Sequence, residues 1–207
     1  MPQPDHISVL GVPDAAGLDD DLRVIWAKCM DKLGFVPNVY QAYSLKPQRL
    51  RNFMAMFGEV MFAESGLSKL EREMVAVVVS SANRCYYCLV AHGAEVRRLS
   101  GDPELGEMMA HNYRVAKLDA RVRAMLDFAY KLTTTPWLIE EPDRAALREV
   151  GLTEGDIFDL AETVGFYNLS NRMAVTTDMM PNAEYHRADR GPAYAPPPQP
   201  ARKPKAT

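Results

Sequence analysis

The sequence predicts an all-α fold, and three observations carry this prediction. Apolar residues recur three and four positions apart in several segments, as they do on one face of an α-helix. Residues that typically begin or end helices flank these segments. No stretch shows the alternating pattern and turn signals of a β-hairpin. The chain has 207 residues, of which 47% are hydrophobic, so it is long enough to bury one core.

The first two predicted helices lie in the N-terminal third. Apolar residues at helical spacing occupy residues 22–33, after the acidic run 19–21 and before Gly34. A second helix follows Pro47 and carries an apolar stripe over residues 50–61. Both segments therefore predict amphipathic helices that pack one face on the rest of the protein.

The next two helices are predicted to form a tight hairpin. A capping box at residues 68–71 begins the first of them, and it favours a helix over a buried strand for the β-branched run 75–79. The polar stretch 80–84 marks the turn. We expect Asn83 to cap the second helix, which continues over residues 85–99.

Four further helices are predicted from start signals at Asp102, Asp119, Pro142 and Thr153. From residue 181 onward, seven prolines fall in 27 residues with few apolar side chains, so this segment has no core of its own. We therefore predict one helical domain over residues 1–180 and a proline-rich extended tail over residues 181–207.

Composition excludes several functional classes. The net charge of −3 and the pI near 5.8 provide no basic field for nucleic acid. The longest apolar run, residues 74–79, is far shorter than a membrane span, and the polar N-terminus lacks the apolar region of a signal peptide. We expect a cytoplasmic protein that binds neither nucleic acid nor membrane. Three cysteines are too few for a disulfide framework.

Four reactive side chains lie within twenty residues. Cys85, Cys88 and His92 are spaced three and four residues apart, so a helix would place them on one face. Glu73 would be about 18 Å from Cys85 along an unbroken helix, so it reaches the thiols only if the chain turns. These four residues are the predicted catalytic set.

The chemistry of this set favours a dithiol redox centre. A thiolate near a helix N-terminus is stabilised by the helix dipole, and a second thiol can trap the oxidised sulfur as a disulfide. A peroxide is the natural oxidant, because attack on its O–O bond gives a sulfenic acid that the other thiol condenses with. Glu73 and His92 would then handle the protons.

Other interpretations of the same residues stay open at this point. Cys85 and Cys88 could simply pack, or they could bind zinc together with His92, although structural zinc usually takes four ligands and no second paired motif is present. Tyr87 could line the mouth of a pocket or only pack. Cys29 lies in the apolar stripe of the first helix, and we interpret it as a core residue.

The order of these residues resembles a known active-site motif. Glu73, eleven residues, Cys85-Tyr-Tyr-Cys88, three residues and His92 resemble the motif of the alkylhydroperoxidase D-like branch of the carboxymuconolactone decarboxylase family. The resemblance to the subgroup called peroxidase-related enzymes covers roughly residues 7–185. It includes the segments 33–38, 67–73, 80–85, 127–132 and 168–172.

The resemblance implies a multi-helical fold of packed antiparallel hairpins, a homo-oligomer such as a trimer or hexamer, and no bound organic cofactor or metal. It implies that Cys88 attacks the peroxide, that Cys85 resolves the intermediate, that Glu73 acts as a base through a water, and that His92 relays protons. One position departs from the pattern. Tyr87 stands where alkylhydroperoxidase D has a second histidine, and tyrosine does not exchange protons near neutral pH as histidine does.

The sequence therefore predicts a thiol-dependent peroxidase that reduces small organic hydroperoxides or hydrogen peroxide and is recycled by an external dithiol. The first alternative is a lactone decarboxylase of the wider family, which would have no use for two thiols. The second is a module without enzymatic activity, either a thiol redox sensor or a zinc-stabilised unit.

Overall fold

The computed structural model describes residues 3–191, and this range contains ten α-helices and no strand. The helices are α1 (Asp20–Leu33), α2 (Asn38–Tyr43), α3 (Pro47–Phe62), α4 (Lys69–Ala82), α5 (Tyr86–Ser100), α6 (Pro103–Asn112), α7 (Ala120–Thr134), α8 (Glu141–Glu149), α9 (Glu154–Thr176) and α10 (Ala183–Arg187). The all-α prediction is confirmed. Within residues 3–191, none of the helices has both the length and the apolar character of a membrane span.

Most helices begin where the sequence predicts. Ser68 Oγ accepts from the Glu71 backbone N–H at 3.2 Å, and the Glu71 carboxylate accepts from the Ser68 N–H at 2.7 Å, which completes the capping box of α4. Thr153 begins α9 with another capping box, and Asp102 and Asp119 cap α6 and α7 through their side-chain oxygens alone. These contacts satisfy backbone donors that the first helical turn leaves without partners.

Helix α4 is the centre of the fold. Every residue from Arg72 to Ser80 is buried, because α4 packs against α3, α5, α6, α7 and α9. The run Val75–Val79 belongs to the largest apolar cluster of the described residues. Full burial of a valine stabilises the fold by about 1.5–3 kcal/mol, so this run contributes strongly to it. Burial on all sides explains why the run has the composition of an interior strand.

Helix α1 packs less closely than its apolar stripe predicts. Leu22 is fully buried and forms a small cluster with Leu18 and Leu50, but the C-terminal half of the helix lies at the surface. Cys29 is only partly buried, so its interpretation as a core residue is wrong. Met30 is 53% exposed on the same helix. The stripe is amphipathic as predicted, but only its first half meets the rest of the chain.

Helix α2 was not predicted from the sequence. It has six residues, too few to show a helical period. Asn182, which is distant in sequence, holds its start by accepting from the Asn38 backbone N–H at 2.7 Å. The Asn38 side chain in turn donates to the carbonyl of Met180 at 2.8 Å.

Helix α10 lies at the start of the predicted tail. The buried Arg97 of α5 donates to the carbonyls of Tyr185 at 2.8 Å and Ala188 at 2.9 Å, which fixes α10 on α5. The rest of the predicted tail, residues 192–207, lies outside the described residues.

Candidate active site

A sharp corner between α4 and α5 builds the site. Helix α4 ends at Ala82, Arg84 adopts a left-handed conformation with φ +54°, and Cys85 occupies the position just before α5. The left-handed residue reverses the chain within three positions, at a conformational cost that residues other than glycine and asparagine rarely carry. The predicted hairpin is therefore present, and it brings Glu73 back toward the start of α5.

The prediction that Asn83 caps α5 is wrong. Its side-chain amide instead donates to Asn171 Oδ1 at 2.9 Å and to Asn168 Oδ1 at 3.1 Å, both on α9. The left-handed turn at Arg84 moves the capping position on to Cys85, so Asn83 ends α4 and fastens the corner to α9.

The two thiols lie together in the interior. Cys85 is 0% and Cys88 is 1% exposed, and both are free. The Cys88 thiol is within hydrogen-bonding reach of Cys85, and this bond lowers the pKa of Cys85. The same bond, together with burial, raises the pKa of Cys88 well above its usual value. The pair therefore loses its first proton readily and holds its second strongly. Both sulfurs lie at the first turn of α5, where the helix dipole also favours a thiolate.

Helix α9 supplies polar partners for the thiols. The Asn171 side chain interacts with both cysteines, and Ser170 interacts with Cys88. Asn171 is completely buried, and its amide donates to Ser80 Oγ at 3.0 Å. Ser80 in turn donates to the carbonyl of Ala76 at 2.7 Å. This network connects the thiols to both α4 and α9.

Glu73 and His92 form a direct pair across the hairpin. His92 Nδ1 lies 2.7 Å from Glu73 Oε2, with the Glu73 side chain 7% and the His92 side chain 14% exposed. The Tyr167 hydroxyl lies 3.4 Å from the same nitrogen, and the two rings meet edge to face. The carboxylate therefore holds the imidazole as the Nδ1–H tautomer, which leaves Nε2 able to take up or release a proton.

A cavity of about 370 Å³ opens beside this pair. Glu73, His92 and Ser170 lie on its wall, whereas neither thiol does. Much of the wall is aromatic, including Tyr40, Phe53, Phe57, Phe166, Tyr167 and Tyr185. Ser170 lines the cavity and also lowers the pKa of Cys88, while His92 of the same wall lowers the pKa of Cys85, so the cavity wall adjoins the dithiol.

Tyr87 has a structural contact that the sequence did not reveal. Its hydroxyl accepts from the Val39 backbone N–H at 3.1 Å, which joins α5 to α2. Burial raises the pKa of Tyr87 well above its usual value of about 10, so the side chain stays neutral. Tyr87 therefore both packs and lines the cavity, and it does not exchange protons near neutral pH.

The geometry gives little support to zinc binding. In residues 3–191, no group of three or more His, Cys, Asp or Glu side chains is arranged to hold a metal ion. The Nδ1 atom of His92 faces the Glu73 carboxylate at 2.7 Å.

Sequence reasoning missed the part that α9 plays in the site. Tyr167, Ser170 and Asn171 come from a segment more than 70 residues after the cysteines. Their polar groups lie on the buried face of α9, next to the apolar Val164 and Ala174. Buried polar residues in the midst of an apolar helical stripe were the available signal, since such residues need partners inside the protein.

Fold and site together define an all-α protein with a buried dithiol at a helical hairpin and a carboxylate–imidazole pair beside an apolar cavity. Comparison with protein families gives a match to the carboxymuconolactone decarboxylase family over residues 47–131. The chain belongs to this family, in its alkylhydroperoxidase D-like branch.

Solved structures give the same assignment. An uncharacterized peroxidase-related protein from Silicibacter sp. TM1040 is 55% identical, with a TM-score of 0.88 over 92% of this chain and 100% of its own. One from Ralstonia eutropha JMP134, described as an alkylhydroperoxidase AhpD core, is 43% identical, with a TM-score of 0.88 over 91% of this chain and 100% of its own. The debrominase Bmp8 shares the fold at 19% identity, with a TM-score of 0.71 over 86% of this chain and 92% of its own. Comparison with curated proteins gave no significant match.

Proposed function

We propose that the protein is a thiol-dependent peroxidase that reduces organic hydroperoxides through a Cys85–Cys88 dithiol cycle. The observation that carries the proposal is the contact of two free thiols at the start of α5, beside a cavity whose wall holds Glu73 and His92. Membership of the alkylhydroperoxidase D-like branch supports the same chemistry.

The cycle balances with the groups present and one external dithiol. A thiolate attacks the outer oxygen of the hydroperoxide, the O–O bond breaks, and the sulfur becomes a sulfenic acid while an alkoxide leaves. The alkoxide takes a proton and departs as the alcohol. The second thiol attacks the sulfenic sulfur, which releases water and forms the disulfide. The external dithiol then reduces the disulfide by two electrons and is itself oxidised.

Cys88 is proposed as the attacking sulfur. Ser170 of the cavity wall acts on the Cys88 thiol, which favours Cys88 as the sulfur that a peroxide in the cavity meets first. The hydrogen bond between the thiols leaves the first negative charge on Cys85. Transfer of the shared proton from Cys88 to Cys85 places the charge on Cys88 as the peroxide arrives, without any proton leaving the pair.

Glu73 and His92 are proposed to supply the proton for the leaving alkoxide. The Glu73 carboxylate accepts from Nδ1 at 2.7 Å, which orients the ring and leaves Nε2 as the atom that exchanges the proton. The sequence-based role of Glu73, a base acting through a water, becomes a direct role on His92. Tyr87 is neutral and bound to Val39, so it takes no part in proton transfer.

The cavity favours organic hydroperoxides over hydrogen peroxide. Its aromatic wall and volume of about 370 Å³ suit an apolar body far larger than hydrogen peroxide, whose affinity would gain nothing from apolar burial. We therefore expect a larger kcat/KM for a bulky apolar hydroperoxide. Three free thiols suit a reducing compartment such as the cytoplasm, where an external dithiol is available.

The direct test is peroxide consumption with a dithiol donor in Cys88→Ser, Cys85→Ser and the matched control Cys29→Ser. We expect Cys88→Ser to lose turnover, Cys85→Ser to stop at a trappable sulfenic acid, and Cys29→Ser to keep full activity. Mass spectrometry after one equivalent of peroxide should show the loss of two hydrogens at Cys85 and Cys88. Unchanged turnover in Cys88→Ser would refute the proposal, and lactone turnover that survives loss of both thiols would favour a decarboxylase.

A further inference from the structure

One face of α9 is exposed to solvent, opposite the face that holds the thiols. Its residues recur at helical spacing along about four turns, and we name them the α9 outer face: Phe158, Glu162, Gly165, Leu169, Arg172 and Met173. Phe158 is 66% and Leu169 52% exposed. A row of large apolar side chains in solvent along one helix is typical of a surface that meets a partner.

Gly165 lies at the middle of this face, and nothing within the chain requires it. A Cβ atom at this position would meet no other atom within 4 Å, and the backbone conformation is one that any residue adopts. Glycine in a helix interior is unfavourable relative to alanine. A glycine without an internal reason, between two exposed apolar residues, indicates that another backbone or side chain approaches α9 closely here.

We propose that α9 packs antiparallel against α9 of a second copy, about a two-fold axis between Gly165 and Leu169. In an antiparallel pair, residues equally far from the axis face each other. Leu169 then lies over the partner's Gly165, and the reverse contact is equivalent, as a two-fold interface requires. The glycine provides the space that the leucine fills.

Charges on the same face agree with this arrangement. Glu162 and Arg172 each lie five residues from the axis, about 7.5 Å along the helix, so the two-fold pairs Glu162 with the partner's Arg172 twice. Within the part of the chain that the structure describes, neither residue forms an ion pair. Arg172 donates to Asn168 of its own helix, at 2.7 Å to the carbonyl oxygen and at 2.8 Å to Oδ1.

The proposed α9 pairing also distinguishes between the trimer and the hexamer that the family resemblance implies. A hexamer built from three such dimers contains this two-fold axis, whereas a simple trimer does not. Ser170 and Asn171, which contact the thiols, lie on the buried face of the same helix, so the interface would adjoin the site without covering it.

The first test is a charge exchange measured by sedimentation of the full chain over a range of concentrations. Glu162→Arg or Arg172→Glu alone creates two repulsive pairs, so we expect the dissociation constant to rise at least about tenfold. The double variant restores both pairs, so its dissociation constant should return to within about threefold of the original. The control Glu64→Arg changes an exposed charge outside the α9 outer face and should have no effect.

The second test is disulfide trapping between copies. Gly165→Cys and Leu169→Cys chains, each with Cys29→Ser, are oxidised separately and as a mixture. The proposed axis brings positions 165 and 169 of different copies within bonding range, so only the mixture should form a covalent dimer in high yield. The proposal is overturned if the wild-type protein is monomeric or if all charge variants have the same mass in solution. It is also overturned if the double variant does not recover, or if either single chain cross-links as well as the mixture does.

Discussion

Replacing Asn171 with leucine tests whether the buried amide network tunes the thiols. Asn171 is completely buried, donates to Ser80 Oγ at 3.0 Å and accepts from Asn83 at 2.9 Å. It also interacts with both cysteines, and these hydrogen bonds lower the thiol pKa values. Asn171→Leu keeps a similar side-chain volume but removes all of these bonds.

The expected loss of stability follows from the partners that remain. Ser80 still donates to the Ala76 carbonyl, and Asn83 still donates to Asn168, so neither group becomes fully unsatisfied. The hydrogen bonds to Ser80 and Asn83, worth about 1 kcal/mol each, are lost, so the free energy of unfolding should fall by about 2 kcal/mol. Urea unfolding of the reduced protein measures this quantity.

The effect on the thiols has a definite sign. A hydrogen bond to the charged form of a group lowers its pKa, so losing it raises the thiol pKa and depletes thiolate at neutral pH. A bond to a charged group is worth about 1.5–3 kcal/mol, which corresponds to roughly a tenfold or greater loss of rate. The pH profile of single-turnover peroxide reduction should move to higher pH. Wild-type reactivity should persist below the pH at which an ordinary cysteine loses its thiolate, because the pKa of Cys85 is lowered.

Asn168→Leu is the matched control. Asn168 also lies on α9 and accepts from Asn83, and it donates to Thr133 Oγ1 at 3.2 Å, but unlike Asn171 it does not act on the pKa of either thiol. Both variants should lose stability, and only Asn171→Leu should shift the pH profile. The reasoning is refuted if the pH profile shifts equally in both variants. It is also refuted if Asn171→Leu loses the expected stability but its pH profile does not shift.

Three further predictions address the surroundings of the thiols. Glu73→Gln keeps the shape of the side chain but loses the charge that orients His92, so kcat should fall about 100-fold in steady-state assays while the circular dichroism spectrum is unchanged. Tyr87→Phe leaves the Val39 N–H without its acceptor, so the free energy of unfolding should fall by about 1–3 kcal/mol with kcat within about twofold; a larger loss of kcat would indicate a chemical role for the hydroxyl. Arg97→Met removes two hydrogen bonds that hold α10 on α5, so alkylation of the buried thiols should quicken about tenfold or more, and an unchanged rate would exclude α10 as their cover.

Much of the fold followed from local signals in the sequence. Capping oxygens at residues such as Ser68 and Asp119 act within one helical turn, so the sequence around them is sufficient to predict a helix start. The corner between α4 and α5 was also predictable, because a polar stretch separates two apolar helices. Its detail was not, because the left-handed turn at Arg84 and the use of Asn83 by α9 depend on tertiary packing.

The half of the site that lies on α9 could not be placed from sequence. Ser170 and Asn171 reach the thiols only because α4, α5 and α9 pack together, and sequence spacing carries no information on that packing. Helix α2 was missed for a related reason, since Asn182 fixes its start from a position far along the chain. Contacts within a helical turn were therefore predictable, and contacts between distant segments were not.

Complete burial of the thiols constrains how the proposed cycle can turn over. An organic hydroperoxide can approach Cys88 through the cavity, but an external dithiol must reach a sulfur of the disulfide in line with the S–S bond. Tyr185 of α10 both lines the cavity and packs on the cluster that contains the cysteines. Helix α10 has five residues and is held to α5 through Arg97, so it needs less free energy to open than α4 or α9 would. Reduction of the disulfide by the external dithiol should therefore depend on opening of α10 more strongly than oxidation of the thiols by the peroxide does. We expect Arg97→Met to accelerate the reductive step and to leave the oxidative step nearly unchanged.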